Sequence, residues 1–258
     1  EAVRKYKRVL GYGAWGAGVL RKVLGPGRKI SWLPHGIATK AWASDGWENR
    51  KPGVRVLGCV AANQPRKDLG LLFSAAEKLR KRAGWEGLSL WLHTDFLDKA
   101  WSVTELAMQY GWNNQRLLVT TGGDLDDAGL ARMYGVCSVT LGVGLGEGFG
   151  YPMVESLAAG TPVVHGDFGG GAEWIPRQDW LVAPVAERLE GIYALRRPVF
   201  AVEEVVEKLA KAGEEKEKDT LVVQEYCKGA VAALDWGPLW LRWRSWIRAG
   251  LKEMEGKG

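Results

Sequence analysis

From residue 30 onward, short apolar runs rich in β-branched residues alternate with longer segments of helical period, and this alternation constrains the fold more than any other feature. Strands are expected near Ile30 to Leu33, Val54 to Ala61, Leu88 to His93, Leu117 to Thr120, Cys137 to Leu141, Thr161 to Val164 and Trp180 to Val182. Helices are expected between them, at about 68–83, 99–110, 126–134, 152–159 and 171–175. Right-handed crossovers then place helices on both faces of a parallel sheet. The fold class is α/β: a doubly wound, Rossmann-like sheet whose ligand crevice lies beyond the carboxyl ends of its strands.

After Pro198 the pattern turns to helices alone, at about 201–212, 219–233 and 236–253, a helical carboxy-terminal extension. "GEEKEKD", Gly213 to Asp219, reads as a solvated turn between the first two. In the last helix Trp236, Trp240, Trp243, Ile247 and Leu251 fall on one stripe, with Arg242, Arg244, Arg248 and Lys252 mostly off it. A helix packed on its own domain is the favoured reading of that stripe, ahead of a peripheral membrane helix. The expected domains are 1–29, a remnant of something upstream; 30–198, the Rossmann-like unit; and 199–258, the extension.

Composition narrows the function classes. At 258 residues the chain can bury a substantial core. The net charge of +5 is mild and scattered apart from Arg4 to Arg8 and the last helix, which favours anionic partners without giving a nucleic-acid footprint. Cys59, Cys137 and Cys227 are isolated, as expected for reduced thiols of a cytoplasmic protein. No apolar run approaches the roughly 18 residues of a membrane span. The chain opens on Glu1 rather than methionine, which reads as a processing site or fragment edge. Gly11, Gly13 and Gly16 match the dinucleotide fingerprint formally, but no convincing strand and βαβ unit is expected around them, and residues 17–44 hold no acid for a ribose.

The chemistry concentrates in "GLGEGFGYPMVESLAAGTPVV", Gly144 to Val164. A strand runs through a glycine-rich turn into a helix opened by Pro152, whose missing N–H costs nothing there. Gly148, Phe149 and Gly150 therefore present free N–H groups at the positive end of a helix dipole, a seat for phosphate or diphosphate. Glu155, read as lying in the first helical turn, either suits that dipole or accepts hydrogen bonds from a ribose diol. Glu147, in the turn itself, neither caps nor packs, so its structural and functional readings stand level.

"EGFGYPMVESLAAGTPVV" followed by "GDFGGGAEWI" resembles the nucleotide-sugar-binding signature of retaining glycosyltransferases with the GT-B fold, family 4 in particular. "LPHGI", "ANQPRKDLGLLFSAAEKL", "LVTTGGDLDDAGLARMYGVCSVTL" and "LDW" follow the family's order, so the resemblance covers about residues 30–253. It implies a donor lobe that binds a nucleoside diphosphate sugar. It also implies that Glu155 holds the ribose hydroxyls and that Glu147 is the catalytic carboxylate facing the donor sugar. The N–H groups of Gly148, Phe149, Gly150 and Tyr151 would meet the sugar and diphosphate, and Arg66 and Lys67 would clamp the diphosphate. The base would lie near Thr120, Thr121 and Gly122.

Three departures qualify the resemblance. The arginine usual five residues before the clamp lysine is Ala62 here, a loss of ~2–4 kcal/mol in leaving-group stabilisation unless Arg66 replaces it. A serine common three residues before the first glutamate is Gly144. Of the acceptor lobe, which usually carries a catalytic histidine, this sequence is expected to hold only the last few dozen residues, and His35, His93 and His165 read as structural, with a reservation for His165 near the crevice. No residue cluster has metal-ligand spacing, so neither a metal nor another cofactor is expected. The 14 tryptophans exceed ordinary usage; Trp32, Trp42, Trp47 and the last helix are expected near a docking surface for a separate acceptor lobe or for self-association. The alternatives are a nucleotide-sugar-binding module inactive by itself and, ranked last, a phosphorylase or epimerase; base, sugar and acceptor are not readable.

Overall fold

In the computed structural model, which describes residues 6–44, 46–48, 50–51 and 53–255, the chain begins with a strand–helix–strand unit. β1 (Arg8–Gly11) and β2 (Lys29–Trp32) pair in parallel, Arg8 opposite Lys29 and Gly11 opposite Trp32, with α1 (Ala14–Leu24) between them. The fingerprint glycines thus do sit in a βαβ unit, contrary to expectation. The strand expected at Ile30 to Leu33 belongs to this two-stranded sheet and not to the main one.

The main sheet follows. In chain order come β3 (Val56–Val60), α2 (Leu69–Leu79), β4 (Ser89–Thr94), α3 (Val103–Gln109), β5 (Leu117–Thr121), α4 (Asp127–Val136), β6 (Val139–Gly142), α5 (Tyr151–Ala158), β7 (Val163–Gly166) and β8 (Leu181–Val182). All six strands are parallel, in the spatial order β5-β4-β3-β6-β7-β8. The order reverses between β3 and β6, and such a switch point is where doubly wound sheets bind ligands. Leu57, Cys59, Leu90, Leu92, Val139 and Val164 are fully buried, as strands covered on both faces require. The helix expected at 171–175 is a 3-10 turn, Gly170–Trp174.

Short polar side chains start most crossover helices. Asp68 caps α2 by accepting from the Leu71 N–H at 3.0 Å, Ser102 caps α3 through Glu105, and Asp126 caps α4 through Gly129. No side chain caps α5.

Beyond β8 the chain departs from expectation. An antiparallel hairpin, β9 (Pro184–Glu190) and β10 (Leu195–Phe200), stands outside the main sheet. Its residues alternate little and face solvent widely, so no half-buried strand period marks it. α6 (Val202–Lys218) then runs straight through the stretch expected to be a turn. The reason is Lys216, which is fully buried and donates to the carbonyls of Gly135 and Cys137 and to Thr161 Oγ1 at 3.3, 2.8 and 2.7 Å. A pinned ammonium inside a run of good helix formers outweighs the charge-run reading.

α7 (Thr220–Val231) packs on α5 and α6, and α8 (Trp236–Glu255) crosses back to the first strands. There Trp243 Nε1 donates to the Pro34 carbonyl and Trp246 Nε1 to Ser31 Oγ, both at 2.9 Å, while Arg8 and Lys29 pair with Glu253. The packing face of α8 therefore runs through Leu239, Trp243, Trp246 and Glu253. Of the expected stripe, Trp236, Trp240, Ile247 and Leu251 are exposed, which corrects that reading by a rotation of the helix. Trp42 is buried against Tyr134, and the half-buried Trp47 carries Arg50 and Lys216 over its ring, so packing within the chain engages both. Much of the tryptophan surplus serves such pairs, with Arg8 over Trp246, Arg55 over Trp85, Arg80 over Trp112 and Arg177 over Trp180.

Lys216→Met keeps the length of the side chain but strands three buried acceptors. It should lower the unfolding free energy by about 2–4 kcal/mol, read as a shifted urea midpoint at unchanged slope. An unshifted midpoint would remove Lys216 from the account of why α6 extends to residue 218.

Candidate functional site

At the switch point two loops are laced together. The Asp68 N–H donates to the Val143 carbonyl at 3.0 Å and the Leu145 N–H to the Arg66 carbonyl at 2.9 Å, around an antiparallel bridge between Lys67 and Gly144. The lacing brings Arg66 and Lys67 from the β3 side against Glu147 from the β6 side. Lys67 Nζ pairs with Glu147 Oε1, and Arg66 Nη1 reaches the same oxygen at 3.3 Å and the Gly146 carbonyl at 3.1 Å. Lys67 is only 6% exposed. Glu147 thus has a structural role that its sequence position hides, as the counter-ion of a buried lysine. Gly144 belongs to the same arrangement: a Cβ there would strike Glu147 Oε1, so the serine usual at that position would collide with the glutamate where it now lies.

The turn that follows sorts its polar groups by partner. Its carbonyls are taken by protein donors: Leu145 O by Arg197 Nη1 at 3.2 Å, Gly146 O by Arg66, Glu147 O by the Gly170 N–H at 2.9 Å and Phe149 O by Trp174 Nε1 at 2.8 Å. The N–H groups from Gly146 to Tyr151 have no acceptor among the described residues. Gly150, at φ +91°, is in the left-handed region that glycine tolerates, and turns the chain into α5. Open amides at the end of an uncapped helix form an anion seat, and Gly148, Phe149, Gly150 and Tyr151 supply it.

Glu155 is the fifth residue of α5, not a first-turn residue, so the dipole reading of it falls away. Its Oε2 accepts the Tyr134 hydroxyl at 3.0 Å. Burial pushes its carboxyl up to about 7, against the pull of that hydroxyl. Its folded pKa therefore lies above its unfolded value of 4.5. The group contributes stability that is fully present below 4.5 and lost as pH rises through about 7.

The remaining expected residues are placed as follows. Thr120 and Thr121 end β5, three strand spacings or about 14 Å from β6. Thr120 Oγ1 is engaged by Trp91 Nε1 and His93 Nδ1 at 3.0 and 2.9 Å, and Thr121 by Asp124, so both hydroxyls already have partners; Gly122 is open. Trp91 also stands edge-on to Tyr134, which links this end of the crevice to Glu155. His165 is buried, with Nδ1 on the Gly142 carbonyl at 3.0 Å and burial lowering its pKa. His35 lies among the rings of Tyr12, Phe149, Tyr151 and Trp243, with burial likewise lowering its pKa. Among the described residues no group of three or more His, Cys, Asp or Glu is placed to hold a metal ion. The second glycine-rich helix start, at α1, is not open: Glu173 accepts from the Ala14 N–H at 2.8 Å and from the Trp15 N–H.

Tyr134, Trp174, Glu173 and Arg197 escaped the sequence reading. Tyr134 and Trp174 carry a polar tip on a core aromatic, and only contact reveals what the tip holds. Arg197 comes from a hairpin that the sequence pattern did not mark.

Comparison with known proteins agrees with this fold. The chain superposes on sucrose-phosphate synthase from Thermosynechococcus elongatus with a TM-score of 0.70 at 20% identity, over 95% of this chain and 59% of that one. It superposes on the pneumococcal O-GlcNAc transferase GtfA, solved with UDP and GlcNAc, at 0.71 and 15%, over 97% and 46%. Against Anabaena HepE, solved with UDP and glucose, the values are 0.70 and 16%, over 94% and 63%. The chain thus has the fold of a GT-B lobe and spans about half to two thirds of the length of these structures. A search of curated protein sequences finds no match. No described helix is long and apolar enough to cross a membrane. A model of the family described as "Glycosyl transferases group 1" matches residues 54–196, more than half of the chain, and the protein belongs to that family.

Proposed function

We propose that this chain is the donor-binding lobe of a retaining glycosyltransferase of the family 4 type, which binds a nucleoside diphosphate sugar and passes the sugar to an acceptor hydroxyl. The observation that carries the reading is the row of amides from Gly146 to Tyr151 that have no acceptor among the described residues, in the turn that also holds Glu147 against Arg66 and Lys67. The amides and the two cations meet the diphosphate, and Glu155 takes the ribose hydroxyls. Glu147 faces the sugar, and the base lies toward Thr120, Thr121 and Gly122. In the reaction the bond from the anomeric carbon to the diphosphate breaks and the acceptor oxygen bonds that carbon from the same face. The acceptor proton passes to the departing diphosphate, whose growing charge is met by protein groups without a metal or other cofactor.

In domain terms the proposal assigns 30–198 to nucleotide-sugar binding, 199–258 to the helical extension and 1–29 to an interlobe segment. Three buried free cysteines support a cytoplasmic setting. A second reading, a nucleotide-sugar-binding module inactive without a companion acceptor lobe, draws support from the share of the compared structures that the chain spans. A further structure of similar fold is that of a GtfA/B complex, with a TM-score of 0.72 at 13% identity, and a separately encoded partner for this chain is tested on that ground. Donor hydrolysis and transfer, assayed with and without an acceptor lobe, separate the two readings.

Titration calorimetry with UDP, GDP and ADP tests binding itself, and Glu155→Ala should weaken the preferred nucleotide about 100-fold. Unchanged affinity would sink the ribose assignment. Because only the ionised carboxylate accepts two ribose hydroxyls, affinity should fall about tenfold from pH 8 to pH 6 as Glu155 takes up its proton near 7. That dependence is read as the difference from Glu155→Gln, so that the nucleotide's own ionisation cancels, and equal slopes in the two proteins would refute it. Glu147→Gln should lower turnover by about 100-fold or more, well beyond any change in nucleotide affinity that follows from releasing Lys67. Equal turnover would take Glu147 out of the reaction.

A further inference from the structure

The hairpin of β9 and β10 touches the proposed site at its root. Arg197 Nη1 donates to the Leu145 carbonyl at 3.2 Å, and its guanidinium lies so close to Gly146 that a Cβ at that residue would strike Nη1. Arg197 Nε is buried without a hydrogen-bond partner, so the group is held by fit against the turn and not by a full set of bonds. Three residues on, Phe200 lies against Gly166 at the end of β7, where any Cβ would meet its ring. Pro198 between them is buried. The hairpin is thus fixed to the main body by Arg197, Pro198 and Phe200, while Leu189, Ile192 and Tyr193 stand in solvent.

Two arginines from opposite sides hold consecutive peptide units of the turn. Arg197 takes the Leu145 carbonyl and Arg66 takes the Gly146 carbonyl. Each planar peptide fixes its N–H opposite its carbonyl, so the two guanidinium groups together fix the orientation of both peptide units, and with them the Gly146 and Glu147 amides. They also set the backbone from which the Glu147 side chain departs. A glycine at 146 offers no side-chain packing to do this instead.

We propose that Arg197 is a positioning residue for Glu147: the hairpin root supplies, from outside the main sheet, a cation that fixes the Gly144 to Gly148 turn. The inference rests on the donor-lobe reading for its effect on catalysis, and its structural half stands without that reading. The chain carries alanine at position 62, where the resemblance leads one to expect an arginine. Arg197 does not replace that side chain at the ligand; it stiffens the turn that the ligand meets.

Amide-resolved hydrogen exchange on the full chain tests the structural half. In Arg197→Met the Leu145, Asp68 and Gly170 amides, which bond within the lacing, should exchange at least tenfold faster at an unchanged urea midpoint. Arg197→Lys, which keeps the charge and one donor, should fall between. Unchanged exchange in both variants overturns the proposal, and if Arg197→Met fails to fold, Arg197→Lys decides. Where the wild-type chain turns over donor, alone or with its acceptor lobe, Arg197→Met should lower kcat at least tenfold, a larger loss than any fall in UDP affinity, because the turn carries Glu147 as well as the amides that meet the diphosphate. The double variant with Glu147→Gln should be no slower than Glu147→Gln alone, and additive losses would show that Arg197 acts by another route. A wild-type chain that neither binds UDP, GDP or ADP nor turns over sugar would defeat the donor-lobe reading, and the exchange result would still decide the role of Arg197.

Discussion

A buried lysine and a glutamate from two different loops neutralise each other at the point where the strand order reverses, and the geometry of the crevice depends on that pair. Lys67 is almost wholly out of water, where an unpaired ammonium would cost several kcal/mol. Glu147 answers that charge, and reaches it because Gly144 leaves its side chain room to fold back. The pair closes the lacing of the β3 and β6 loops that the backbone bonds of Asp68 and Leu145 begin. A residue proposed to face the donor sugar is therefore already held before any donor arrives. Preorganisation of this kind lets a charge act without first being moved into place.

The same economy governs the neighbouring turn. Carbonyl oxygens and amide hydrogens come in equal number along a backbone, so a turn presents amides to one side only if its oxygens are satisfied on the other. Arg197, Arg66, the Gly170 N–H and Trp174 satisfy them here. The Asp and Ser caps that close α2, α3 and α4 have no counterpart at α5. One crossover helix among its neighbours is left open, at the switch point.

The alternation of β-branched runs with helical segments carried the sheet, and a glycine-rich turn with Pro152 carried the uncapped start of α5, because both are local patterns that the backbone reads directly. What escaped was decided by contacts distant in sequence. α6 passes through a run of charges because Lys216 finds three oxygens inside the core. α8 turns a different face inward because Trp243 and Trp246 find Pro34 and Ser31, though Trp240 and Ile247 fit the helical period as well. Trp42 and Trp47, expected near a docking surface, have internal partners that are invisible in the sequence for the same reason: Trp42 stands against Tyr134, and Trp47 lies under two cations whose positions only the fold gives. Of the candidate site, the residues on the two loops were legible and their mutual pairing was not.

Two glycine-rich helix starts in one chain show why such a motif identifies a ligand site only with its surroundings. "GYGAWG" follows a strand, opens α1 and leads back to a parallel strand, as a dinucleotide fingerprint should. Its amides nevertheless bond the carboxylate of Glu173, so the dipole is answered by the protein's own charge, and that bond ties the first strand–helix unit to the Rossmann-like body. "GEGFGYP" opens α5 with the same chemistry, but the acid that could have filled its seat, Glu147, is drawn back onto Lys67. The difference lies in which carboxylate has a buried cation to satisfy, and this is what leaves one helix terminus as an element of structure and the other free for an anion from outside.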